Sequence, residues 1–291
     1  MGYGIKDLKF QDKVGISSHL KEAKDRMIQV TIVVLIFFAV SFYFIDIPLA
    51  WLEQPLPEKF GKLSFITPTE PFFTNMKVAF MCSMFISMPF ILFHLWQFIA
   101  PGLKVKEKKI TMMFVTFGTL FFVFGGAFCY FLVVPIALKF LMNYGVNFWN
   151  FQVTIGFYFS FLTKLIMSFA FAFQTPLIMV LLTKFGVINT IKMRLYRKWA
   201  FLGCFVLASV LTPPDIITQL MLGVPLYGLY EFGVIASAIF EDPKQRDLAI
   251  KQMQLHKEMR KAKKEAQQAA KAKSGKAKIK KIIKKQDKKA G

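Results

Sequence analysis

A chain of 291 residues that is 55% hydrophobic, with 35 phenylalanines, and yet carries a formal net charge of +21 has gathered its charges into a few places. That pattern excludes a soluble domain, whose helices each need a wet face, and fits an all-α polytopic membrane protein with basic flanks. Cys82, Cys129 and Cys204 each lie inside an apolar run, so neither a disulfide framework nor a metal site is indicated.

The amino-terminal segment, residues 1–26, is mainly polar, and Ser17 to Glu22 offers a cap and a first helical turn. No small-residue cleavage site follows its first hydrophobic run, so a removable signal peptide is not expected. The first span covers about Met27 to Ile45. A loop of roughly thirty residues follows, rich in breakers such as Pro48, Pro55, Pro57 and Gly61 but also in Trp51, Leu52, Phe60 and Phe65. This mixture predicts a structured cap on the membrane interface.

The second span, about Met76 to Ala100, stops at Pro101-Gly102 before a knot of charge: Lys104, Lys106, Glu107, Lys108 and Lys109. A third span, about Ile110 to Val134, carries Gly118, Gly125 and Gly126, which let neighbouring helices approach, and Pro135 is expected to end it. The fourth, about Gly156 to Leu182, holds Lys164, Gln174 and Pro176 at depths where polar groups are costly. Lys164 reads either as a proton or ion relay or as a snorkelling lysine facing a groove. His94 reads as an interface histidine.

Sixteen residues separate Lys198 from Asp215 and 15 separate Asp215 from Glu231. Either run covers only about 24 Å, against a ~30 Å hydrocarbon core. The fifth and sixth helices therefore continue past those charges, or the bilayer is thinned around them. From Glu241 the chain is a Lys/Ala/Gln tail with 18 basic residues against six acids, drawn to anionic lipid or nucleic acid by charge alone.

Lysine and arginine alternate in number from side to side: six in the amino-terminal segment, four in Pro101 to Lys109, five in Thr183 to Lys198 and 18 in the tail, with few in the opposite loops. Six spans with both termini cytoplasmic satisfy the positive-inside rule. The domains are then 1–26, a membrane domain 27–240 and a cytoplasmic tail 241–291. No zinc-protease motif, no nucleophile elbow and no P-loop occurs, so no enzyme, cofactor or metal is expected. Candidate residues are instead carboxylates at membrane boundaries, with Glu22 and Glu107 inside and Glu70 and Asp215 outside. On composition alone, Glu107 also reads as a loop acid neutralised by its lysines.

Several motifs in register resemble the TatC family, the multispanning subunit of the twin-arginine protein translocase. They are Thr67 to Phe73 (Thr-Pro-Thr-Glu-Pro-Phe-Phe), Met88-Pro89, Trp96 to Leu103 with Glu107 six residues after Pro101, His19-Leu20 with Glu22 and Arg26, and Leu211 to Asp215. The resemblance covers about residues 17 to 240. It implies a receptor for signal peptides carrying paired arginines, and a scaffold for single-span subunits of TatA and TatB type. It also implies transport of folded proteins driven by the proton-motive force, a homo-oligomer within a larger complex, and the bacterial inner membrane as its lipid environment.

The residues so implied for signal-peptide binding are Glu107 and Glu22, with Phe98 and Lys24 nearby; Pro55, Glu70 and Asp215 are implied on the outer face. Two positions depart from the family's pattern. Lys24 stands where arginine is common, keeping charge but losing the planar fork, and Gln174 stands where an acid is common, able to bond a partner helix but not to hold charge. The rival from another class is a multispan ion or small-molecule transporter with a midplane site at Lys164, Gln174 and Pro176; it predicts paired internal repeats, and none is found. Cysteine labelling is expected to place Gly61, Gly145 and Asp215 outside and Lys104, Lys192 and the tail inside, and an outside tail would overturn the six-span arrangement.

Overall fold

The computed structural model describes residues 6–56, 63–99, 108–143, 153–211 and 216–241, with scattered positions to 259. Helix α1 (Lys6–Tyr43) runs without a break across the expected cap at Ser17 and across residue 26, because the polar segment is itself a good helix former and nothing in it stops propagation. Its membrane part, Leu20–Tyr43, leaves Ile28, Ile32, Leu35, Ile36 and Val40 exposed. A face of that kind suits lipid and not water.

The expected cap is helix α2 (Asp46–Glu53). Near its end Trp51 O accepts from Gln54 N at 3.3 Å, and two tyrosines from the membrane helices bond to Trp51 O and Leu52 O. Tyr130 Oη donates to Trp51 O at 2.7 Å and Tyr158 Oη to Leu52 O at 2.8 Å. Trp51 also stacks flat on Tyr130, with ring centroids 4.8 Å apart. Behind the cap, Ser64 N donates to Val153 O and Ile155 N to Ser64 O, a single bridge joining the two outer loops.

Helix α3 (Glu70–Ile99) is the hub, packed against α1, α4 (Lys108–Phe128) and α6 (Ile155–Ala172). Pro135 does not end the third span. A π-helical turn, Cys129–Val133, precedes it, and the chain continues as α5 (Val134–Asn143). The wider turn gives room for the proline ring, which would otherwise press on the carbonyl four residues back. The same turn holds Tyr130, so it also aims the cap's latch.

The fourth span is broken, because α6 ends before Phe173 and α7 (Gln174–Lys184) restarts with Pro176 in its first turn, where a missing N–H costs least. Helix α8 (Thr190–Leu195) leads to α9 (Arg197–Leu211) and α10 (Ile216–Phe240), and α10 lies along α7 and α9. Among the described residues, five helical stretches are long and apolar enough to cross a membrane. Helix α10 does continue past Glu231, whereas α9 has 15 residues and reaches only about 22 Å.

Helix contacts are close where the glycines lie. A Cβ on Gly125 would sit 2.9 Å from the Phe169 carbonyl oxygen and 2.8 Å from Phe173 Cβ. Hydroxyls inside the spans bond back to their own helices, as Ser87 does to Ser83 O and Thr163 to Phe159 O. Tyr158 is 1% exposed. Tyr158→Phe, which leaves Leu52 O without its donor, is therefore expected to destabilise the folded protein by about 1–3 kcal/mol. A lower thermal unfolding temperature in detergent and faster labelling of a cysteine placed in α2 are the readouts.

Candidate functional site

Glu22 and Arg26 stand one turn apart on α1, the spacing at which helical side chains meet. Arg26 donates to Glu22 Oε1 from Nε at 3.1 Å and from Nη2 at 2.5 Å. Its third nitrogen, Nη1, donates to Gln97 Oε1 in the last turns of α3. One guanidinium thus ties the carboxylate of α1 to the end of α3. Lys21, Glu22, Asp25, Arg26, Gln29 and Gln97 line an open polar cleft there. Lys24 is exposed and points away from it, as a residue two positions from both Glu22 and Arg26 must. Phe98 follows Gln97 and is half-buried.

Glu107 lies outside the described residues; Lys108, its neighbour in sequence, opens α4, and α4 packs beside α3. Arg26 and Gln97 belong to the cleft but were not singled out as site residues from the sequence. The signal for Arg26 was its i, i+4 spacing from Glu22, and for Gln97 its place inside the Trp96 to Leu103 motif.

Near mid-depth Gln174 is 6% exposed and donates from Nε2 to Gly118 O of α4 at 2.9 Å. The amide lines an apolar groove with Val34, Leu35, Met88, Leu92 and Phe171. Lys164 does not share that groove. It is exposed on α6, one turn beyond Ser160, whose Oγ accepts from Lys77 Nζ at 2.8 Å. The structure therefore does not bring Lys164 and Gln174 into one midplane site.

At the start of α3 Glu70 is a fastener. Its Oε2 accepts from Ile66 N at 2.9 Å and its Oε1 from Gly156 N at 2.7 Å, joining the starts of α3 and α6. A Cβ on Gly156 would lie 2.6 Å from Glu70 Oε1, so only glycine admits this contact. Pro55 is half-buried in the turn that ends α2, and Asp215 lies outside the described residues. Arg197 Nη2, at the start of α9, donates to Glu231 Oε2 within α10 at 2.7 Å, and Tyr227 Oη donates to Glu231 Oε1 at 2.6 Å. The three cysteines are free thiols. Among the described residues no three His, Cys, Asp or Glu side chains converge as metal ligands.

The family described as Sec-independent protein translocase protein (TatC) matches residues 18–225. A TatC protein of Campylobacter jejuni is 38% identical over 235 residues, which are 79% of this chain and 96% of that protein. The TatC protein of Escherichia coli K12 is 34% identical over 233 residues, 79% and 90% of the respective chains. One from Halothiobacillus neapolitanus is 38% identical over 229 residues, which span only 63% of its own length. A crystal structure of the twin-arginine translocase receptor TatC matches with a TM-score of 0.71 at 31% identity, over 76% of this chain and 99% of that one. With its apolar spans and its likeness to these bacterial relatives, the chain is a multi-pass protein of the bacterial inner membrane and belongs to the TatC family of protein translocase subunits.

Proposed function

We propose that this chain is the receptor for Arg-Arg signal peptides and the scaffold that gathers single-span TatA- and TatB-type subunits, within a complex containing further copies of itself. The reading rests on the cleft between the middle of α1 and the last turns of α3. There the chain already holds one guanidinium between a carboxylate and an amide, Arg26 between Glu22 and Gln97. An incoming arginine would use the same chemistry, a planar fork that carboxylate oxygens accept as a pair, which lysine cannot reproduce. Arg26 and an incoming arginine then compete for Glu22. Glu107 is the second carboxylate of the proposed site, and the lysines around it weaken it by repulsion.

In the proposed orientation α9 serves as the fifth of six spans, and both termini, including the tail from 241, are cytoplasmic. The cleft then faces the compartment where cargo is made, and the shortness of α9 implies a thinned bilayer around it. Gln174 is the proposed contact for a partner helix, because its amide stands in an apolar groove where a polar residue of that helix has few alternatives. Lys164, exposed on α6, is the second proposed polar contact.

Two measurements test this. Gln174→Leu is expected to weaken partner docking by about 1 kcal/mol while leaving signal-peptide affinity unchanged. Co-purification of the single-span subunits at wild-type levels would leave Gln174 with its Gly118 bond alone. Glu107→Gln is expected to weaken signal-peptide binding by roughly 1.5–3 kcal/mol, about ten- to a hundredfold. The assay is peptide affinity for wild type and variant with Arg-Arg and Lys-Lys peptides as a double-mutant cycle. Coupling near zero, with Arg-Arg still preferred, would remove Glu107 from the site.

A further inference from the structure

Among the described residues two carboxylates line the cleft between α1 and α3, Glu22 and Asp25, which stand three residues apart on one face of α1. Only one of them is committed. Glu22 accepts from Arg26 Nε at 3.1 Å and from Nη2 at 2.5 Å, whereas among the described residues no hydrogen bond or ion pair engages the Asp25 carboxylate. Lys21, one turn earlier in the same lining, makes no ion pair with it.

The committed half shows what this cleft accepts, because Arg26, with a side chain 19% exposed, places its guanidinium between a carboxylate, Glu22, and an amide, Gln97. Asp25 and Gln29 repeat that pairing. They lie one turn apart on α1, both exposed and both in the lining, so a second carboxylate and amide converge on the same opening. One pair holds a guanidinium and the other faces solvent.

The cost of exchange decides which pair an arriving arginine meets first. To reach Glu22 it must displace Arg26, which trades one guanidinium for another and leaves a largely buried cation to find new partners. The net gain is small. At Asp25 nothing is displaced: the arriving fork adds charge-assisted bonds, and Arg26 stays neutralised by Glu22 beside it. An ammonium supplies the charge without the fork, and so cannot bridge carboxylate and amide in one plane.

We propose that Asp25, supported by Gln29, takes the first arginine of the signal peptide while Arg26 remains on Glu22. Asp25 is then a specificity-determining residue of the receptor. The inference rests on the signal-peptide reading above and adds to it a contact residue that neither the motifs nor the candidate carboxylates at the membrane boundaries include.

The test titrates the full-length protein in nanodiscs with two signal peptides that differ only in Arg-Arg against Lys-Lys. Asp25→Asn, an exposed substitution, is expected to weaken the Arg-Arg peptide about five- to tenfold and the Lys-Lys peptide only about twofold, and Asp25→Glu to keep most of the affinity. Gln29→Ala removes no charge, and it is expected to weaken the Arg-Arg peptide about twofold while leaving the Lys-Lys peptide unchanged. Equal losses for both peptides in Asp25→Asn would mean that the carboxylate acts through its field alone. A wild-type Arg-Arg preference that Asp25→Asn leaves intact would mean that it does not touch the peptide, and Gln29→Ala binding like wild type would strike the pairing from which the contact is inferred. Each of these overturns the proposal and leaves the receptor reading standing. Wild type with no preference for Arg-Arg would instead overturn the receptor reading itself, and this inference with it.

Discussion

A hydrocarbon core offers no hydrogen-bonding partner, so every backbone group that a break or proline frees must be satisfied by the protein itself. Several polar side chains inside the fold are spent on backbone carbonyls of neighbouring helices. Trp51 O and Leu52 O of α2 accept from Tyr130 and Tyr158, and Phe205 O of α9 accepts from Gln219 Nε2 of α10 at 3.1 Å. Gln174 spends its amide N–H on Gly118 O. The π turn before Pro135 belongs to the same economy of backbone groups, since it makes room for the ring without opening the helix to lipid.

Charge follows a complementary rule. Arginines and carboxylates lie at the starts of helices or beside an open cleft, where water shares the cost of solvating them, and there they tie neighbouring helices. Arg26 joins α1 to α3, Arg197 joins α9 to α10, and Glu70 joins the starts of α3 and α6 through backbone N–H groups alone. Half-exposed pairs of this kind add little stability by themselves. Their value is geometric, because each sets the angle between two helices whose packed faces are otherwise smooth and apolar. Between the middle of α1 and the end of α3 that geometry also leaves a cleft open to solvent.

Close approach is the third element. Gly125 and Gly233 bring backbones to within a Cβ's width of a neighbouring helix, whereas Gly203 and Gly228 have nothing within 4 Å of where a Cβ would stand. Position in the assembly, not residue type, thus decides which glycine matters. With α10 held close to α7 at Gly233, an apolar gap lined by Phe117 and Phe232 remains between α10 and α4.

Hydropathy was enough to show helical spans, because it is a one-dimensional property read against a bilayer of set thickness, though the third span, expected to stop near Val134, runs on to Leu141. Motif register was enough for the family. The partners of each polar group were not legible. Nothing local in Glu70 announces Gly156, 86 residues away, and nothing in Gln174 announces Gly118. Pro135 reads as a stop because a lone helix would stop there, yet packed neighbours and a widened turn carry the chain through. Lys164 and Gln174, ten residues apart on one predicted span, were separated by the break at Phe173 and by the groove that only Gln174 lines. Sequence determines which segments must leave water; the tertiary structure alone decides which polar groups meet, since that depends on distances across helices and not along the chain.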